Sequence, residues 1–288
     1  MLGKVTAGIF FLLLIWGNIV AGMQAGMACP DWPLCHGEFL PPIRLNIWME
    51  FLHRVLALFG AVSLFLLARR RLSAYRGGQR AIPLLALGLI AVEIAVGGIV
   101  VLLGLPVQLT TVHFMIGLAL FLLVLYMAFC DGETRPAQLS LSGYAGALFC
   151  VLLLIFSQAS LGAYLRHSAA GLACPDFPTC QGSFFLPALW DLGTATNITH
   201  RLLGLGTLCT ALLLSLAALL DERLRQRKRE LFALAALVAL QIGVGAAVVK
   251  SGLSYPVTSL HLALTLGIAA VALRLWLVQM GTGTGAGK

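Results

Sequence analysis

A run of about 20 apolar residues is long enough to cross a bilayer core, and this chain contains eight. They fall at roughly 5–24, 47–68, 82–103, 111–129, 143–164, 198–219, 231–249 and 257–279. A backbone in lipid must satisfy its own polar groups, so such spans fold as α-helices. The eight use most of the 288 residues, and what remains reads as loops with no separate soluble domain. The first run is not a cleaved signal peptide, because its polar flank is a single Lys4 and it is too long for the apolar part of one.

The net charge of +8 would suit a nucleic-acid binder, but its distribution does not. Arg69, Arg70, Arg71, Arg76 and Arg80 follow span two, Arg135 follows span four, and Arg223, Arg225, Arg227, Lys228 and Arg229 follow span six. With Lys4 and Lys288 they fall on one side of an eight-span protein, and few basic residues fall on the other. That is the positive-inside pattern. It places both termini in the cytoplasm and the loops after spans one and five outside. No transit peptide precedes the first span, so a bacterial plasma membrane is expected. The tail GTGTGAGK (281–288) lacks apolar residues and reads as disordered.

The chain is also a duplication. CPDWPLC (29–35) returns as CPDFPTC (174–180), with both cysteines 145 positions on. His53-Arg54 returns as His200-Arg201 at 147, and His113 as His261 at 148. Glu93 stands opposite Gln241, again at 148. A tandem repeat of four spans each accounts for this. Four is even, so the copies cross the membrane in the same direction and are expected to relate by a pseudo-twofold along the membrane normal. The expected fold is all-α, with two tandem four-helix bundles over 1–135 and 136–288. Gly97, Gly98, Gly243 and Gly245 read as small residues that let helices approach.

Four of the six histidines lie a few residues inside the outer ends of the even spans: His53, His113, His200 and His261. Ionisable residues inside spans are costly and usually mark sites. Two histidines facing each other across a four-helix bundle suit a low-spin haem. Zinc would want three or four ligands at one point. The pairs are His53 with His113 and His200 with His261. Arg54 and Arg201 each follow a ligand candidate. They either snorkel toward the outer interface or contact haem propionates.

The halves differ in one respect beside the ligands. Glu50 lies one helical turn before His53, on nearly the same face, and its repeat equivalent is Asn197. An acid at mid-membrane costs on the order of 2.5–3.5 kcal/mol, less near the interface. Glu50 could be a helix-start acid favoured by the dipole. The asymmetry favours proton-coupled chemistry in the first half and an electron-transferring or structural haem in the second. Glu93, deeper in span three, is either a protonated acid bonded to a neighbouring helix or part of a proton path. The cassettes lie in an oxidising compartment, where disulfides persist. Cys29–Cys35 and Cys174–Cys180 are expected, each worth roughly 2 kcal/mol. They serve as staples over the haem mouth, or one pair is a reducible couple. Cys130, Cys150 and Cys209 read as inert small hydrophobes.

Together, the duplicated four-span unit, the four histidines, EFLHR (50–54), NITHR (197–201) and the paired cassettes resemble the haem A synthase family across nearly the whole chain. The resemblance implies oxidation of a ring methyl of haem O to a formyl group through a hydroxymethyl stage, with oxygen from water. It implies a substrate haem held by His53 and His113 beside a catalytic Glu50, and a b-type haem on His200 and His261. It further implies haem O synthase as upstream partner and cytochrome oxidase as client. Glu93 departs from the neutral glutamine often found there. The competing readings are a dihaem cytochrome b taking electrons from quinol, a haem carrier or assembly chaperone, and a disulfide-forming membrane protein. The first gives no reason for a carboxylate in one half only, the second predicts two haem sites and no product, and the third leaves the histidines unexplained.

Overall fold

A computed structural model describes residues 1–131, 141–184 and 187–282. Arg135, the expected boundary after it and the tail from 283 lie outside the described residues. Every regular element among the described residues is helical. Eight helices have the length and hydropathy to cross a membrane. They are α1 (Leu2–Gly22), α2 (Leu45–Ala74), α3 (Ala81–Leu102), α4 (Val107–Phe129), α5 (Gly143–His167), α6 (Leu192–Leu220), α8 (Lys228–Lys250) and α9 (Tyr255–Thr282). The short α7 (Glu222–Arg225) and a 3-10 turn at Gly77–Arg80 complete the regular structure. The protein is an integral membrane protein.

Two helices extend well past their apolar runs. Arg69 to Arg71 continue α2 because arginine is a good helix former and bears its charge outside the apolar layer. Arg71 then donates to the carbonyls of Met127 (2.8 Å) and Asp131 (2.7 Å), and Tyr75 to that of Cys130 (2.6 Å). These bonds satisfy acceptors that the end of α4 leaves open. At the other end, α6 starts six residues before its apolar run. Its Asp191 cap accepts from the Thr194 N–H at 2.7 Å.

The chain divides into two compact units, residues 1–136 and 137–288. In the first, α1–α2–α3–α4 pack as a closed ring in which each helix lies mainly against two neighbours, with a lesser contact between α2 and α4. In the second, α5–α6–α8–α9 also pack as a closed ring. Helices α2 and α4 are therefore diagonal in the first ring, and α6 and α9 in the second. Outward faces are apolar, as with Leu58, Phe59 and Val62 on α2 and Leu213, Leu216 and Leu220 on α6. Lipid tolerates such faces, and small residues and buried polar pairs hold the helices together instead. Gly3 lies against Ala128, where an added Cβ would come within 2.8 Å of the backbone. The Thr6 and Ser63 hydroxyls meet at 2.7 Å in the buried contact of α1 with α2.

Candidate haem sites and their caps

Each ring places its two histidines on diagonal helices, near the same end. His53 and His113 come from α2 and α4, and His200 and His261 from α6 and α9. The rings of His200 and His261 have centroids 6.5 Å apart, tilted by 57°. One iron with two nitrogen bonds of about 2 Å fits between rings at that spacing. His53 and His113 are close enough to interact electrostatically. All four rings are half-buried. The Nδ1 atoms of His53, His113 and His261 form no hydrogen bond, whereas that of His200 lies 2.9 Å from the Gln158 carbonyl. Among the described residues, no three His, Cys, Asp or Glu side chains converge on a point. The donor set is thus two imidazoles per unit, which suits haem and falls short of zinc.

Each histidine also rests on a glycine of the helix before it. A Cβ on Gly17 would lie 3.0 Å from His53 Cε1, and one on Gly97 3.0 Å from His113 Cε1. For Gly162 against His200 and Gly245 against His261 the distance is 3.2 Å. Nine in ten real Cβ contacts are looser than this. These four glycines fix how closely each imidazole can lie to its neighbouring helix. From sequence alone, Gly97 and Gly245 read only as helix-packing residues, and Gly17 and Gly162 do not stand out. A signal was present, because Gly17 and Gly162 stand 145 apart and Gly97 and Gly245 148 apart, the offsets of the cassettes and of the histidines.

The cassettes close over the same ends of the rings. Disulfides join Cys29 to Cys35 and Cys174 to Cys180, and the four cysteines are no more than 5% exposed. Burial of the sulfurs favours staples over a reducible couple. The Asp31 carboxylate accepts from the N–H groups of His36 (2.7 Å) and Gly37 (2.8 Å), and Asp176 accepts from those of Gln181 (2.6 Å) and Gly182 (2.9 Å) and from the Thr179 hydroxyl. The Gly37 and Gly182 backbones have φ of 73° and 77°, left-handed conformations that favour glycine. The Gly37 N–H holds Asp31 below the usual carboxylate range, as the Thr179 hydroxyl chiefly does for Asp176.

Arg54 and Arg201 tie cassette to bundle. Arg54 donates to the carbonyls of Cys29 (2.8 Å), Asp31 (2.7 Å) and Leu34 (2.5 Å) and to Glu50 Oε1 (2.7 Å). The second Glu50 oxygen accepts from the Cys29 N–H at 2.7 Å. Arg201 donates to the carbonyls of Cys174 (2.9 Å) and Thr179 (2.7 Å) and to Asn197 Oδ1 (3.0 Å), and lies over the Phe177 ring. Asn197 in turn donates to the Gly171 carbonyl at 3.1 Å. In this arrangement the guanidinium donors face the cassette rather than free water, a third placement beside the two weighed for them. Glu50 and Asn197 are each 4% exposed and occupy matching positions, one charged and one neutral. Glu50 is the sixth residue of α2, outside the first turn, so the helix-start explanation for it loses force.

An eight-helix membrane protein whose two rings each aim a pair of histidines across a capped end belongs to a recognisable class. Residues 2–273 match the family described as cytochrome oxidase assembly protein, and the chain belongs to that family. Among curated relatives, Heme A synthase of Halalkalibacterium halodurans is 31% identical over 233 residues, covering 78% of this chain and 76% of the relative. Heme A synthase of Symbiobacterium thermophilum is 30% identical, covering 91% and 89%. Heme A synthase of an Exiguobacterium species is 29% identical, covering 90% and 85%.

Proposed function

We propose that this protein is a haem A synthase, an oxidoreductase that converts a ring methyl of haem O to a formyl group. One observation carries the reading: matched histidine pairs in both units, with a carboxylate beside only one of them. His53 and His113 hold the substrate in the N-terminal unit, and His200 and His261 hold a b-type haem in the C-terminal unit.

Taking a methyl to hydroxymethyl consumes one water and releases two electrons and two protons. Taking hydroxymethyl to formyl releases two more of each. A b-type haem on His200 and His261 would supply one-electron transfer, and an external electron acceptor must take the four electrons for the oxidation to balance. Glu50 accepts hydrogen bonds on both oxygens, so in this geometry it offers no proton. We read it as a carboxylate, held in place by Arg54 and the Cys29 N–H, that stabilises positive charge developing at the methyl carbon. The four ligand histidines would orient the two tetrapyrroles, and the stapled cassettes lie over the mouths.

Haem O synthase supplies the substrate, and cytochrome oxidase assembly takes the product. The basic ends of α2 and α6 lie, with both termini, on the cytoplasmic side of a bacterial plasma membrane, and the cassettes lie outside.

Haem extraction and mass spectrometry, on membranes co-expressing the chain with a haem O synthase, tests this. Haem A or its hydroxymethyl precursor should accumulate. Glu50→Gln should cut it at least tenfold while the C-terminal haem stays bound. Membranes that load haem O yet form no oxidised product would leave a cytochrome or carrier instead.

A further inference from the structure

Glu93, on α3, is a half-buried acid that the mechanism above does not use. Its Oε1 lies 3.2 Å from Nδ1 of His113. The approach is at ion-pair distance but off the line of a formed hydrogen bond, so a small ring rotation completes it. The second carboxylate oxygen, Oε2, has no partner. An imidazole that binds iron through one nitrogen carries its proton on the other. A partner there fixes the tautomer and ring orientation and makes the ligand a stronger electron donor.

The C-terminal unit is built differently at the matching place. The Gln241 amide donates to the His261 backbone carbonyl (2.9 Å) and to the Thr265 hydroxyl (2.6 Å), leaving the His261 Nδ1 without a partner. Thr265 stands 148 positions after Gly117. A Cβ on Gly117 would lie 3.1 Å from Glu93 Oε1. Two residues therefore change together between the units. In one, glycine leaves room for a carboxylate to reach the ring. In the other, a hydroxyl holds an amide on the backbone.

We infer that Glu93 is a positioning residue for the N-terminal haem ligand, taking the Nδ1 proton side of His113 through the space that Gly117 leaves. This rests on the reading of His113 as an iron ligand. In the C-terminal unit the corresponding acceptor is the neutral Gln158 carbonyl, 2.9 Å from Nδ1 of His200; a carboxylate is the stronger acceptor, so it makes the axial bond of the substrate haem the more electron-rich and favours its ferric state. The two sites then differ in potential, although both offer two histidines.

The test uses the full-length purified protein with both haems bound, followed by redox titration and by electron paramagnetic resonance of the ferric state. His113→Ala and His261→Ala assign the signals to each unit. Glu93→Gln should raise the midpoint potential of the N-terminal haem and shift its g-values, leaving the C-terminal haem unchanged. Gly117→Ala, which displaces the carboxylate without removing it, should move the same haem in the same direction. An N-terminal haem retained in Glu93→Gln with unaltered potential and g-values overturns the inference. Should Glu93→Gln lose that haem, an unaltered Gly117→Ala protein overturns it. If His113→Ala leaves the N-terminal bis-histidine signal intact, the ligand reading itself fails, a separate outcome.

Discussion

The two units share a ring of four helices, a diagonal histidine pair, a glycine behind each histidine, and a stapled cap pinned by one arginine. Two of the places where they part set an acid against an amide. Where the first unit has Glu50 between its arginine and a cassette N–H, the second has Asn197 between its arginine and a carbonyl. Where the first has Glu93 beside an imidazole, the second has Gln241 on the backbone. Both exchanges put an acid in the first unit and an amide in the second, at little change in size. On the proposed reading, the shared parts hold haem and the differing parts bear on what happens to it. Duplication thus separates binding from reactivity, and comparing the units sorts residues that inspection of one unit would merge.

The comparison breaks most sharply at the ligands. His261→Ala should abolish haem binding in the C-terminal unit and leave the N-terminal unit competent, and His53→Ala should do the reverse. Pyridine haemochrome titration of each purified variant reads the stoichiometry. Loss of both haems from either single variant would mean that the units do not bind independently. Next in size are the glycines behind the rings. Overpacking typically costs about 1–3 kcal/mol. Gly162→Ala and Gly17→Ala should each lower haem occupancy in their own unit and alter its absorption bands.

Smaller effects fall on the caps. Cys29→Ser with Cys35→Ser should cost roughly 2 kcal/mol of stability, visible as a lower thermal midpoint, while haem product still forms. The same pair of changes at Cys174 and Cys180 should match it. Unequal loss of product would identify one disulfide as chemically active. The smallest effect is that of pH on the cassettes. Asp31 and Asp176 are held below the ordinary carboxylate range by donors present only in the folded loop. Their contribution is therefore complete above the unfolded-state value and is lost as pH falls through the lower folded value. Trp32 fluorescence should stay constant through mild acid and change only beneath the usual carboxylate range.

Much of the fold could be read from the chain because hydropathy and the repeat speak directly to it. The eight spans need only run length, and the structure has eight helices over those runs. Helix ends were less legible. The start of α6 at Leu192 depends on Asp191 capping a polar stretch, Thr194 to Asn197, which hydropathy alone assigns to a loop. The placement of Arg54 was illegible for another reason. Three of its four bonds reach residues 20 to 25 positions earlier, carbonyls that only the folded loop brings to the helix. The histidines stood out because four coincidences of depth are hard to miss. Their glycine neighbours did not, since glycine is common in apolar helices and only a distance to an imidazole gives it meaning.

The glycine behind each imidazole bears on the order of events in the life of the protein. Every ligand takes its aim from the helix preceding it in the chain, a contact made within a helical hairpin. The four rings can therefore be oriented during insertion, before any tetrapyrrole arrives. A receiver built in advance suits a protein that must release one large flat molecule and accept another.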